Sequence, residues 1–286
     1  MLDNLPTLAE TLKIHHLYAN KKLGQHFLLD MNITDKIAKL TGPLEGVNVA
    51  EVGPGPGGLT RSLVTAGAKH VLAIEMDDRF LVPLSDITDA ADGKLTVLGA
   101  DALTVDIPKH INGEIRIAAN LPYNVGTKLL INWLTASPLF WTRAVLMFQK
   151  EVAERVVAKP SDSAYGRLAI LSQSVCEADL AFVVPSKAFS PPPKVDSAVV
   201  VLNPLPEAQR FEDLVTLGKV TASAFQMRRK MLRRSLKGMA SAYGWEAEAW
   251  LEACEIDPQR RPETLSVLEF HELTRAYIIH LKNRAP

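Results

Sequence analysis

The sequence predicts an α/β protein with a mainly parallel sheet, an antiparallel final strand and a small all-α C-terminal domain. Three observations predict it. A β-branched run at 47–52 leads into Gly53-Pro54-Gly55-Pro56-Gly57-Gly58 and then into a helical stretch at 59–66. Short apolar strand patterns at 70–75, 95–98, 115–119 and 145–148 then alternate with helical ones. Beyond Asn203-Pro204-Leu205-Pro206, from 211 onward, only helical periodicity remains. Strands alternating with helices imply parallel pairing with right-handed crossovers, which is a Rossmann-like sheet.

Taken in order, residues 1–20 form an N-terminal arm that reads as a short amphipathic helix or a loose segment. It carries Asp3, Glu10, Lys13, His15 and His16 and lacks the uninterrupted apolar core of a signal peptide. Residues 21–205 form the α/β domain. Its last strands are expected at 178–184 and 195–202, joined by the proline-dense 185–193, a short link that suits an antiparallel finish. Residues 206–286 form the helical domain. No internal repeat or low-complexity segment interrupts this plan.

A chain of 286 residues with a 47% hydrophobic fraction can bury a large core and a small one. The formal net charge is zero, so any polyanion partner must be met by a local cluster of charge. Two cysteines, Cys176 and Cys254, lie far apart and match neither a zinc-ligand spacing nor a disulfide framework. No stretch approaches the roughly 20 apolar residues of a membrane span. A soluble, monomeric, cytoplasmic protein without a bound metal is expected.

The glycine loop satisfies G-x-G-x-x-G between a strand and a helix, where a backbone can approach a ligand closely. Three acids sharpen the pattern. Glu51 precedes the first glycine, Glu75 ends the second strand about 20 residues on, where an acid meets ribose hydroxyls, and Asp101 follows the third strand. Each lies at the carboxyl edge of a strand, the edge at which open α/β sheets bind ligands. Pro54 and Pro56 remove amide donors that a diphosphate would use, and Glu51 repels phosphate but attracts a cationic or amino group. S-adenosylmethionine, with a sulfonium, an amino group and no phosphate, fits better than NAD. The sheet is therefore expected to be of the class I S-adenosylmethionine-dependent methyltransferase type, with Glu51, Gly53, Gly55, Glu75, Met76, Asp101 and Ala102 at the cofactor.

The fourth strand ends in Asn120-Leu121-Pro122-Tyr123. The exocyclic amine of adenine is a poor nucleophile because its lone pair is delocalised into the ring. A site that methylates it must accept hydrogen bonds from the N6 hydrogens. The Asn120 side chain and the Leu121 carbonyl supply acceptors, Pro122 fixes the direction of that carbonyl, and Tyr123 offers a stacking face for an unpaired base. Such catalysis is positioning and electrostatics rather than strong base chemistry.

These segments, with Leu23-Gly24-Gln25-His26-Phe27-Leu28 and Phe189-Ser190-Pro191-Pro192-Pro193-Lys194-Val195-Asp196-Ser197, resemble the ribosomal RNA adenine N6-dimethyltransferase family, and most of all its small-subunit branch. The resemblance runs from Lys22 to about Leu202 and continues more weakly to the end. It implies dimethylation of two adjacent adenosines in the hairpin near the 3′ end of 16S rRNA, in a small ribosomal subunit or its precursor, and a role in subunit biogenesis. It also implies that His26 and Leu28 join the cofactor site together with Asn120, and that Phe189 forms the second face of an aromatic clamp opposite Tyr123. His26 stands where many members carry asparagine.

The segment 226–237 holds six basic residues and no acid. Arg229, Arg233 and Lys237 recur at four-residue spacing, with Arg228, Lys230 and Arg234 beside them and Phe225, Leu232, Leu236 and Met239 opposite. One amphipathic helix with a cationic, phosphate-binding face is expected. Two other readings stand beside the small-subunit enzyme. One is a 23S rRNA adenine methyltransferase of the macrolide-resistance family. The other is a non-catalytic ribosome-assembly factor that keeps the fold but binds RNA without modifying it.

Overall fold

The computed structural model describes residues 2–20 and 24–283. Lys21, Lys22 and Leu23, part of the basic N-terminal motif, lie outside the described residues. In chain order the elements are α1 (Leu8–Ile14), β1 (Phe27–Leu28), α2 (Met31–Leu40), β2 (Asn48–Val52), α3 (Gly58–Thr65), β3 (His70–Glu75) and α4 (Leu81–Ala90). They continue with β4 (Leu95–Gly99), β5 (Ile115–Asn120), α5 (Gly126–Leu134), β6 (Arg143–Gln149), α6 (Lys150–Val157), α7 (Arg167–Gln173) and β7 (Cys176–Val184). The last are β8 (Phe189–Ser190), β9 (Ser197–Pro204), α8 (Leu214–Gln226), α9 (Leu232–Ser235), α10 (Lys237–Ser241), α11 (Ala247–Glu252) and α12 (Val267–Lys282).

The main sheet has seven strands in the order β4-β3-β2-β5-β6-β9-β7. β2 pairs in parallel with β3 and β5, β3 with β4, and β5 with β6. β9 then runs antiparallel to β6, with Ala144 opposite Leu202 and Gln149 opposite Ser197. The antiparallel finish expected from the proline-dense link is therefore present. β2 is buried at all five positions, as befits a central parallel strand covered on both faces. The reversal of strand order falls between β2 and β5, so the loops after those strands part there and leave a crevice.

The chain divides into two compact units, 1–153 with 179–204, and 154–178 with 205–286. The break at 204/205 sits at the expected proline linker. Residues 154–178, assigned by sequence to the α/β domain, cluster with the helical unit instead. The reason is their core: Tyr165, Ala169, Ile170 and Leu171 pack with Phe211, Leu217, Val220, Trp250 and Phe270. In the first unit the arm is no loose segment. α1 is closed by a Thr7/Glu10 capping box, Leu8 and Leu17 are buried, and the Arg61 guanidinium donates to the Pro6 carbonyl at 2.7 Å.

The helical unit corrects one expectation outright. The segment 226–237 is not a continuous helix. α8 ends at Gln226, 227–230 turn, and α9 begins after an extended Met231. The face of α8 that carries Leu217, Val220, Thr221 and Ala224 is buried, and one more turn would carry Arg228 onto that same face. Burying an unpaired guanidinium there would cost several kcal/mol, on the order of the penalty for a desolvated charge. The chain turns instead, and Arg228 donates to the carbonyls of Asp162 and Ser163 at 3.3 and 2.7 Å. The new helix start is satisfied by the amides of Leu232 and Arg233 donating to Arg260 and Pro258 carbonyls at 2.8 and 3.2 Å.

Candidate functional site

A cleft opens at the carboxyl edge of the parallel strands, wholly within the first unit. It encloses about 1280 Å³ counted out to and including its open solvent mouth. Its walls bring together His26, Leu28, Glu51, Gly53, Gly55, Glu75, Met76, Asp101, Ala102, Asn120, Leu121, Pro122 and Tyr123. All but one of the residues that sequence reasoning assigned to cofactor and base therefore line one cleft. Among the described residues no cluster of three or more His, Cys, Asp or Glu could hold a metal.

The glycine loop gets its shape from backbone conformations that side chains resist. Gly53 has φ +70° and Gly57 φ +86°. A Cβ on Gly57 would also lie 2.1 Å from the Ile87 side chain, so α3 can start there only because the residue is glycine. The loop is tied across to β3: the Gly55 amide donates to Glu75 Oε2 at 3.0 Å and the Asp77 amide to Glu75 Oε1 at 2.9 Å.

The acids differ in environment. Glu51 is 1% exposed, and burial, the largest cause, pushes its carboxyl up to about 8. Hydrogen bonding from the Thr60 side chain and backbone opposes that shift, while Oε2 has no partner of full hydrogen-bond geometry among the described residues, although Glu51 lines the cleft. A buried acceptor left open in a binding wall calls for a donor from a ligand. Glu75 is also raised, by burial first, with its two amide contacts opposing the shift. Asp101 is exposed at the rim, where Oδ1 caps the Leu103 amide at 2.9 Å.

At the end of β5 the tetrapeptide turns into α5. The Pro122 carbonyl is used by the amides of Val125 and Gly126 at 3.2 and 3.0 Å. Among the described residues no hydrogen bond occupies the Asn120 side-chain amide. Leu121 is 1% exposed and also lines the cleft, so it anchors the turn in the core at the cleft wall. The Tyr123 hydroxyl lies 3.0 Å from Ser197 Oγ, the first residue of β9, and burial holds its phenol above the usual range. The ring is thus fixed in direction and stays neutral.

Phe189 is the exception. It is 4% exposed, belongs to the main hydrophobic cluster and pairs across from Leu28 in the two-stranded β1–β8 ribbon. It is buried in the core, and no ring contact pairs it with Tyr123 among the described residues. The ring beside Tyr123 is His26, with centroids 5.7 Å apart and planes tilted by 32°. Its Nδ1 donates to the Pro191 carbonyl at 2.7 Å, which in the neutral ring leaves Nε2 as an acceptor.

Sequence reasoning missed Gln25, Asp77 and Ser197. Gln25 Nε2 donates to Asp77 Oδ2 at 2.8 Å, and both residues line the cleft. Their only trace in the sequence was position, inside a quoted motif or one residue past a site residue. The six basic residues lie in the helical unit, where Arg229, Lys230, Arg234 and Lys237 are exposed. Arg228 is occupied by carbonyls, and Arg233 pairs with Glu248 at 3.0 Å.

A seven-stranded sheet in this order, with an antiparallel penultimate strand and acids at successive strand ends, defines a class I methyltransferase. Residues 16–278 match the family described as ribosomal RNA adenine dimethylase, and the chain belongs to that family. It is similar to the ribosomal RNA small subunit methyltransferase A of Maricaulis maris, 55% identical over 96% of each chain. It is also similar to that of Ruegeria sp. strain TM1040, 53% identical over 96% of this chain and 98% of the relative. Among solved structures, a dimethyladenosine transferase from Plasmodium falciparum superposes with a TM-score of 0.78 at 28% identity, covering 89% of this chain and 98% of that one. The 23S rRNA methyltransferase ErmE shares the fold, with a TM-score of 0.64 at 22% identity.

Proposed function

We propose that this rRNA adenine dimethyltransferase uses S-adenosylmethionine to dimethylate N6 of two adjacent adenosines in the 3′-terminal hairpin of 16S rRNA. The substrate is a small ribosomal subunit or its precursor, the enzyme acts as a monomer in the cytoplasm, and the modification accompanies subunit biogenesis. The observation that carries this reading is the placing of Asn120, Leu121, Pro122 and Tyr123 on the wall of one cleft that also holds Glu51 and Glu75. The Maricaulis and Ruegeria relatives, named for the small-subunit RNA, support the choice of RNA.

The residues present fit the cofactor. In the bound complex Glu51 Oε2 would meet an amino or sulfonium charge, the Glu75 carboxylate would hold ribose hydroxyls, Asp101 and Met76 would border the adenine, and the proline-interrupted loop asks for no phosphate. When bound, S-adenosylmethionine supplies an electrophilic methyl group. The chain supplies placement. Asn120 Oδ1 and the Leu121 carbonyl accept from N6 and turn its lone pair out of conjugation. Tyr123, held by Ser197, stacks on the base. No protein base needs to remove a proton before transfer, because the amine becomes acidic once methylated, and a buried neutral phenol at Tyr123 suits stacking rather than proton abstraction.

The test is methyl transfer to 30S particles from a strain lacking the enzyme, set against 50S particles and free rRNA. Two dimethylated adenosines confined to the 16S hairpin are expected. Modification of 50S instead would assign the chain to the 23S reading, and binding without transfer would assign it to assembly alone.

A further inference from the structure

We infer that Asp77 is a positioning residue that straps the segment 24–28 down as one wall of the cofactor cleft, through a hydrogen-bond chain running from Glu75 to the N-terminal arm. The inference rests on the assignment of the cleft to S-adenosylmethionine.

The chain of contacts is continuous. The Asp77 amide donates to Glu75 Oε1 at 2.9 Å, so Asp77 is fixed to the acid at the base of the cleft. The Asp77 carboxylate, 8% exposed, accepts from Gln25 Nε2 at 2.8 Å and from Arg79 Nε at 2.8 Å. Gln25 Oε1 in turn accepts from the Asn20 amide at 2.9 Å and from Arg79 Nη2 at 3.2 Å, while Arg79 Nη1 reaches the Tyr18 carbonyl at 3.2 Å. Gln25 is the second of five successive cleft-lining residues, Gly24 to Leu28. The C-terminal half of the segment is anchored by burial of Phe27 and Leu28, by pairing with β8 and by the His26–Pro191 bond, but β1 is only two residues long and Gly24 takes a left-handed turn with φ +64°, so the stretch at Gly24 and Gln25 lies outside any strand. At Gln25, side-chain bonds across 52 residues of sequence extend that anchorage beyond the end of the strand. Arg79 holds the Asp77 carboxyl down at about 2, so the acceptor is ionised at any working pH.

The polarity of the chain makes the inference testable. Asp77 offers only acceptors. In Asp77→Asn the new amide group faces either Gln25 Nε2 and Arg79 Nη2 or, flipped, Arg79 Nε and its backbone amide, donor against donor in both orientations. Flipping Gln25 turns its own amide group onto the Asn20 amide and Arg79, so no arrangement satisfies every group. A double variant, Asp77→Asn with Gln25→Glu, reverses the polarity of the 25–77 contact and keeps a negative charge beside Arg79, at the loss of the Arg79 Nη2 bond to position 77.

The experiment uses the full chain. Calorimetry measures the affinity for S-adenosylmethionine and S-adenosylhomocysteine, and amide hydrogen exchange of a peptide spanning 24–28 measures the strap without ligand. Asp77→Asn is expected to speed exchange at 24–28 and to weaken both ligands about 10- to 100-fold, the range for loss of a hydrogen bond to a charged group. The double variant is expected to return both readouts toward wild type. Should Asp77→Asn fail to fold, Gln25→Met keeps the Asp77–Arg79 pair and serves in its place. Unchanged exchange overturns the strap, faster exchange with unchanged affinity overturns its link to the cleft, and failure of the double variant to rescue overturns the polarity argument. If the wild type itself binds neither ligand, the cofactor assignment fails, and the exchange data still decide the strap.

Discussion

Cofactor binding should be coupled to ionisation of Glu51. Its carboxyl is fully buried and pushed up to about 8, so at pH 7 the unliganded protein holds it mostly protonated. Ionising it to meet a cation then costs about 1.4 kcal/mol at pH 7 and about 2.7 kcal/mol at pH 6, from 1.36 kcal/mol per pH unit. The affinity for S-adenosylmethionine should therefore rise up to about tenfold per unit between pH 6 and 7 and flatten near pH 8, where an α-amino group itself begins to titrate. Close to one proton should be released to the buffer per ligand bound. Calorimetry at pH 6.5 in buffers of different ionisation enthalpy reads this directly. Glu51→Gln should abolish both the release and the slope, and should lower affinity by about 1.5–3 kcal/mol at pH 8 through loss of a charge-assisted bond. The sign carries over to stability. A carboxyl raised from 4.5 to about 8 on folding contributes fully below pH 4.5, and the contribution is lost as pH rises through 8. The unliganded wild type should accordingly lose thermal stability between pH 5 and 8 more steeply than Glu51→Gln. Binding with the same affinity at pH 6 and pH 7.5, without proton release, would falsify the coupling.

Asn120→Ala should slow single-turnover methyl transfer by roughly 10²–10³-fold with little change in RNA affinity; a rate within a few-fold of wild type would remove Asn120 from the acceptor role. Tyr123→Ala should lose about 1–3 kcal/mol of base stacking, whereas Tyr123→Phe, which loses only the Ser197 contact, should keep most of the activity. Phe189→Ala should lower unfolding stability by about 3–5 kcal/mol, the cost of emptying a core site; denaturant titration showing a stable protein with a pure catalytic defect would revive the clamp. Replacing the exposed Arg229, Lys230 and Lys237 by glutamine should flatten the log–log salt dependence of RNA binding by about 2–3 units. Arg233→Gln should act mainly through its half-exposed pair with Glu248, at about 0.2–1 kcal/mol of stability.

Local patterning determined a good deal of this protein. A β-branched run before a glycine loop favours strand, turn and helix, because glycine takes the left-handed turns at 53 and 57 without the strain a side chain brings. The ends of strands 70–75 and 115–119 could be read from alternation, and with them the places of Glu75 and Asn120. Their shared cleft followed from the rule that parallel strands point their carboxyl ends to one side. Tertiary structure decided what depends on partners distant in sequence. Phe189 looks the same in sequence whether it faces a base or a core, and its pairing with Leu28 put it in the core. The basic segment has good helical periodicity, but a continued α8 would bury Arg228, and desolvation of that charge outweighs one more turn of local hydrogen bonds. Residues 154–178 join the helical unit because Tyr165 and Ile170 find their apolar neighbours there. Gln25 and Asp77 meet across 52 residues, a distance no local pattern encodes, because the tertiary fold brings the turn after β3 against the N-terminal segment.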